Sequence, residues 1–211
     1  MRLLAVIRKF QTVCLCSFCP PMWGIFLRRL SSCGKDVCFF VMISIMRVVI
    51  VNDKMQTGYS YQCVAHVGRD FAADFKPELT PMDMLRLGVF EGHYLNDCRA
   101  EFPDEWFENA RLSIEVADVR CNCFGVKSRL SLAEWQRRQW IFGPDVRGWF
   151  QWYCRYYMGR RLPDIDAIQI RRWKAFRRHQ AQIMKNCMSY DVMCRPRQRQ
   201  ALLQWAYNPF I

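Results

Sequence analysis

The sequence predicts a mainly α fold, a single compact helical domain with a minor β element, with α+β as the alternative class. Three observations carry this. Several segments open with a capping residue or Pro and close at Gly or Pro, as helices do. The stretch "RGWFQWYCRYYMGRR", Arg147 to Arg161, repeats its aromatic residues at helical spacing. Alternating runs of the kind that make strands are few and short.

Residues 1–54 stand apart from the rest. They are Cys-rich, apolar and poor in acids, and read as a poorly structured or non-native extension. A body of more even composition, 55–211, follows. Within the extension "CFFVMISIMRVVIV", Cys38 to Val51, is interrupted by Arg47 and falls short of the ~20 apolar residues a membrane span needs. It reads as a buried strand or a weakly membrane-associated segment. Cys16-x2-Cys19 with Cys33-x4-Cys38 has a spacing that can chelate zinc, but the residues between offer little else of a zinc ribbon. No metal and no cofactor is expected.

In the body, "YSYQCV" alternates as a short strand and "LSIEVADVRCNCF" supplies another one or two. "TPMDMLRLG" is a helix with Thr80 as cap, Pro81 in the first turn, Asp83 three positions on and Gly88 as stop. Met84, Leu85 and Leu87 face inward. "FPDEWFENAR" is a second short helix, with Asp104 and Glu105 at the positive end of its dipole. "SLAEWQRRQW" repeats the capping pattern with Ser131 and Glu134. In the aromatic stretch Trp149, Trp152, Tyr153 and Tyr156 share one side. That leaves a narrow polar strip with Gln151 and Arg155, so the rings are core. Gly159 ends this helix.

The longest periodic segment, a helix over 164–187, turns Ile165, Ile168, Trp173, Phe176, Ile183 and Met184 inward. Arg172 falls inside that apolar arc and needs a carboxylate, for which Asp145 and Asp166 are the candidates. A last helix after Pro196 buries Leu202, Leu203 and Trp205.

Charge is the main pointer to function. The net charge is +12, with sixteen Lys/Arg against five Asp/Glu in 129–211 and eight against thirteen in 53–128. Such a balance suits an anionic partner, and RNA or DNA is the leading expectation, with a membrane disfavoured. The outer face of 164–187, with Arg171, Lys174, Arg178 and Lys185, would contact phosphates, and Arg160 and Arg161 would extend the footprint. The same cations can instead dock on the protein's own acids.

An enzyme is the rival class. In "EGHYLNDC", His93, Asp97 and Cys98 would meet on one helix, with His93 oriented by Asp97 to activate Cys98 or a water on a phosphorylated or other anionic substrate. A protein–protein scaffold is the third. The twelve Cys, with no convincing signal peptide, are read as mostly reduced thiols in an intracellular, reducing compartment, the cytoplasm or nucleus.

The blocks "ELTPMDMLRLGVFEGHYLNDCRAEFPDEWF", "RGWFQWYCRYYMGRR" and "CRPRQRQALLQWAY" resemble a family of uncharacterised proteins with Trp/Tyr/Arg-rich blocks. The resemblance spans about residues 59–207. It implies kinship and assigns no activity to any residue.

Overall fold

The structure, a computed structural model, describes residues 47–211, a mostly helical unit with one two-stranded sheet. Strands β1 (Arg47–Asn52) and β2 (Thr57–Cys63) pair antiparallel as a hairpin. Val49, Val51, Tyr61 and Cys63 are buried while Val48 and Ile50 face out, the two-residue alternation of a sheet with one covered face. The hairpin corrects the boundary drawn at 54/55: β1 lies on the extension's side of it and is bonded along its length to β2. The Cys16, Cys19, Cys33 and Cys38 spacing, and the start of the Cys38–Val51 run, lie outside the described residues.

Helix α1 (Pro81–Leu87) forms as its local signals dictate. The Thr80 hydroxyl accepts from the Asp83 N–H, the Asp83 carboxylate accepts from the Thr80 N–H, and Gly88 closes the helix at φ 102°. Met84 and Leu85 are buried and Leu87 half-buried. The helix expected from "FPDEWFENAR" is only a 3-10 turn, Asp104–Trp106. The strands expected in "LSIEVADVRCNCF" are absent: Ile114 and Val116 are exposed, and the segment holds a 3-10 turn, Val119–Cys121. Its N–H groups of Ser113 and Asp118 donate to the carbonyls of Gly92 and Glu91. Alternation makes a strand only when a partner edge is on offer, and this loop lies against a turn instead.

Helix α2 (Leu132–Arg137) is capped by Ser131, whose hydroxyl accepts from the Glu134 N–H. The Glu134 carboxylate does not return to the cap; it pairs with Arg137 and Arg138. Helix α3 (Trp149–Tyr157) is the centre of the fold. Trp149, Phe150, Trp152, Tyr153 and Tyr156 are buried as read, each contributing on the order of 2–3 kcal/mol by area. The expected polar strip does not exist, because Gln151 and Arg155 are as buried as the rings. Phe75, from a segment read as irregular, inserts edge-on against Trp152, Tyr153, Tyr156 and Trp173 at centroid distances of 4.9–5.7 Å. Polar atoms on the rings find partners inside: Trp152 Nε1 donates to Asp166, and the Tyr153 hydroxyl donates to the Leu79 carbonyl. After α3, Gly159 sits at φ 103° so close to β2's exit that a Cβ would lie 2.1 Å from the Ala65 carbonyl oxygen; only glycine fits there.

The segment read as one helix is two, α4 (Pro163–Ala175) and α5 (Arg177–Asn186). At the junction Phe176 N–H donates to Trp173 and His179 N–H to Phe176, bonds three residues back rather than four. That tightening shifts the side-chain phase. Ile183 is buried, whereas Met184, expected inside, is 70% exposed. Helix α6 (Pro196–Leu203) buries Leu202 and Leu203, and Trp205 follows it half-buried.

Candidate functional site

The basic residues divide into two populations. One is locked in the interior. Arg155, on α3, donates to both Glu101 oxygens at 2.5 and 2.9 Å, to Asp145 at 3.1 Å and to the Gln56 side chain at 2.8 Å. Arg160 donates to the other Asp145 oxygen at 2.7 Å. Arg147 bridges Asp53 and Asp97. Burial works against the charge of these three guanidiniums, but the facing carboxylates outweigh it and raise their pKa. Asp53 shows the reciprocal effect: burial pushes it up, while Arg147 and the backbone N–H groups of Met55 and Gln56 hold it below the usual carboxylate range.

These facts correct the expected footprint. Arg160 is buried against Asp145 and belongs to no outer surface. Arg161 packs over the Tyr156 ring at 3.9 Å and donates to the carbonyls of Tyr156, Arg160, Arg69 and Asp70. Lys174 pairs with Asp74, in the acidic half of the chain, although both stay open to water. Arg199, at the end of α6's first turn, is fully buried and donates to the carbonyls of Cys194, Asp191, Pro209 and Ile211.

The second population is free. Arg171 on α4, and Arg177, Arg178 and Lys185 on α5, are exposed and make no ion pair among the described residues. No Asp or Glu occurs between Asp166 and Asp191, while six Lys/Arg do. Beyond α5 a disulfide, Cys187–Cys194, closes a loop that presents Tyr190 at 80% exposure. Cys187 and Cys194 are therefore not the thiols expected of them. Cys63, Cys98, Cys121, Cys123 and Cys154 are free, and the disulfide gives no support to a reducing compartment. No helix among the described residues is long and apolar enough to cross a membrane.

His93, Asp97 and Cys98 do not form a catalytic group. The chain around them is turns, not a helix, so the expected one-turn spacing is lost. His93 Nδ1 lies 3.0 Å from the Ser113 carbonyl oxygen, Asp97 accepts from Arg147, and Cys98 donates to the Leu95 carbonyl. Burial, against the opposing pull of Arg147, pushes the Cys98 thiol up to about 12, far from a nucleophile's range. Asp53, Cys98 and Glu101 place ligand atoms within 4.8 Å of one another. Arg147 and Arg155 already neutralise those carboxylates and the thiol stays protonated, so the cluster is a poor cation site.

Arg172 has neither partner expected for it. Asp145 faces Arg155 and Arg160, and Asp166 accepts from Trp152 and the Leu162 N–H. Arg172 donates instead to the Trp140 carbonyl and the Gln169 side chain.

No family model, no curated protein and no solved structure matches the chain.

Proposed function

We propose that the protein binds the phosphate backbone of a nucleic acid through the outward cations of α4 and α5. The single observation carrying this is the acid-free stretch between Asp166 and Asp191, in which Arg171, Arg177, Arg178 and Lys185 are exposed without ion pairs among the described residues. Cations a turn or two apart on a helix can follow successive phosphates. Lys174 adds to the face when phosphate displaces Asp74, since an exposed ion pair is worth ~1 kcal/mol or less. Tyr190 offers a free ring for stacking an unpaired base. Arg160 and Arg161 have no part in it.

The test is the double reversal Arg171→Glu/Arg178→Glu, read by fluorescence anisotropy with a labelled single-stranded RNA and a labelled DNA duplex. Affinity is expected to fall at least ~100-fold at low salt, with an unchanged melting temperature. Unchanged affinity for both probes removes the proposal. The rival scaffold reading gains only the exposed Met184, Met188 and Met193 near the same end of α5. Nuclease digestion separates the two, because contacts made through phosphate vanish and contacts to protein survive.

A further inference from the structure

On the flank of α4 opposite Arg171 and Lys174 lies a pocket of about 350 Å³, within the ~300–1,000 Å³ range of small-molecule sites. Trp135, Trp140, Trp149 and Trp205, with Phe90 and Phe176, supply its rings. The segments that carry them are far apart in sequence, and specific turns bring them in. Phe90 and Glu91 run left-handed at φ 51° and 56°, which sets Phe90 in the wall and directs Glu91 to Arg129. Trp205 stacks on Trp149 at 4.6 Å and on Phe176 at 3.9 Å, making one wall rigid. Trp140 stays 41% exposed at the rim.

The polar groups of the lining are one-sided. Lys127, Arg129 and Arg172 contribute positive charge, and no Asp or Glu lines the pocket. Arg129 is balanced by Glu91, but its Nε is buried with no acceptor. Arg172 has no carboxylate partner among the described residues. Its guanidinium carbon lies 5.7 Å from the ring centres of Phe142 and Trp205. Nη1 donates to the Trp140 carbonyl at 2.8 Å and to Gln169 at 3.1 Å. Among the described residues its Nε and Nη2 make no hydrogen bond, and neither is fully buried. Burial lowers its pKa, with no carboxylate to offset the loss of water.

A guanidinium without a counter-ion among the described residues and a set of indole rings converge on one chemistry. We infer that this pocket binds a planar aromatic anion: the ring lies among the indoles, and its phosphate or carboxylate meets Arg172, with Lys127 at the mouth. Arg favours such anions through paired N–H contacts. This is a small-molecule site, distinct from the phosphate-backbone face, since Arg172 and Arg171 leave α4 on different flanks.

The test is calorimetric titration of the full chain with four probes: AMP, indole-3-acetate, adenosine and inorganic phosphate. AMP or indole-3-acetate, or both, is expected to bind saturably, and the stronger of the two tells whether the pocket prefers phosphate or carboxylate. Adenosine, a ring without charge, and phosphate, a charge without a ring, are expected at least ~10-fold weaker, the size of one charged hydrogen bond. Arg172→Gln is expected to weaken the bound anion at least ~10-fold while leaving adenosine unchanged. Trp140→Ala, at the partly exposed rim, weakens anion and adenosine together, with the fold checked by its melting temperature. Arg171→Glu/Arg178→Glu leaves the pocket's titrations as they were, so failure here and failure of the nucleic-acid reading are told apart. The inference is overturned if neither AMP nor indole-3-acetate binds saturably, or if binding is the same in both pocket variants.

Discussion

Arg155 and Arg178 carry the same guanidinium into opposite surroundings. Arg155, in the middle of α3, is enclosed by Glu101, Asp145 and Gln56 and has no access to water. Arg178, in the first turn of α5, faces solvent and has no acid within reach among the described residues. The difference lies in what the rest of the chain brings to each. The loop carrying Glu101 and the turn carrying Asp145 wrap α3, whereas the stretch around α5 contains no carboxylate to bring. A count of charge treats both residues as the same invitation to an anion. The fold has already answered one of them.

That contrast predicts unequal responses to mutation. Arg155→Met leaves Glu101 and Asp145 with buried, weakened pairing and is expected to cost about 3–5 kcal/mol, read by urea denaturation; a cost under 1 kcal/mol would mean that the network is only loosely held. Next in size is the response to acid. Asp53, held low by Arg147, adds stability that is complete above about pH 4, the ordinary range of an unfolded carboxylate, and is lost as pH falls through its lower folded pKa. Asp53→Asn should therefore lower stability at neutral pH and flatten the loss on acidification; an unchanged acid limb would assign the loss to other carboxylates. The smallest effect belongs to the free population: Arg178→Ala is expected to change stability by no more than ~0.5 kcal/mol in the same urea experiment. A larger change would mean that Arg178 has a structural partner.

Much of the α framework was legible in the sequence, because the signals that made it are local. The Thr80–Asp83 capping box and the inward rings of α3 depend on residues within a few positions of one another. What was misread depends on distant chain. Gln151 and Arg155 read as a polar strip because Glu101, 54 residues away from Arg155, cannot be seen from α3 alone. The 112–124 segment alternates like a strand but meets no free edge. The 164–187 periodicity holds for Trp173 and Ile183, yet Ile168 on α4 stays exposed, and beyond the two three-residue hydrogen bonds at Phe176 Met184 turns outward. The pocket is the extreme case, since its rings come from five stretches of chain. Only the misplaced charge of Arg172 in an apolar arc gave it away, and the partner sought for it was a carboxylate of the protein itself.

The division into enclosed and free cations is tested most directly by the salt dependence of duplex DNA binding. Wild-type protein is compared with the triple variant Arg171→Gln/Arg178→Gln/Lys185→Gln, with the logarithm of affinity plotted against the logarithm of salt concentration. Every phosphate that is no longer neutralised by a cation should reduce the slope by about 0.9, so the triple variant should be shallower by roughly 2.7, with the melting temperature unmoved. A slope that stays at the wild-type value would contradict the account, because the anion would then be held by some other part of the molecule.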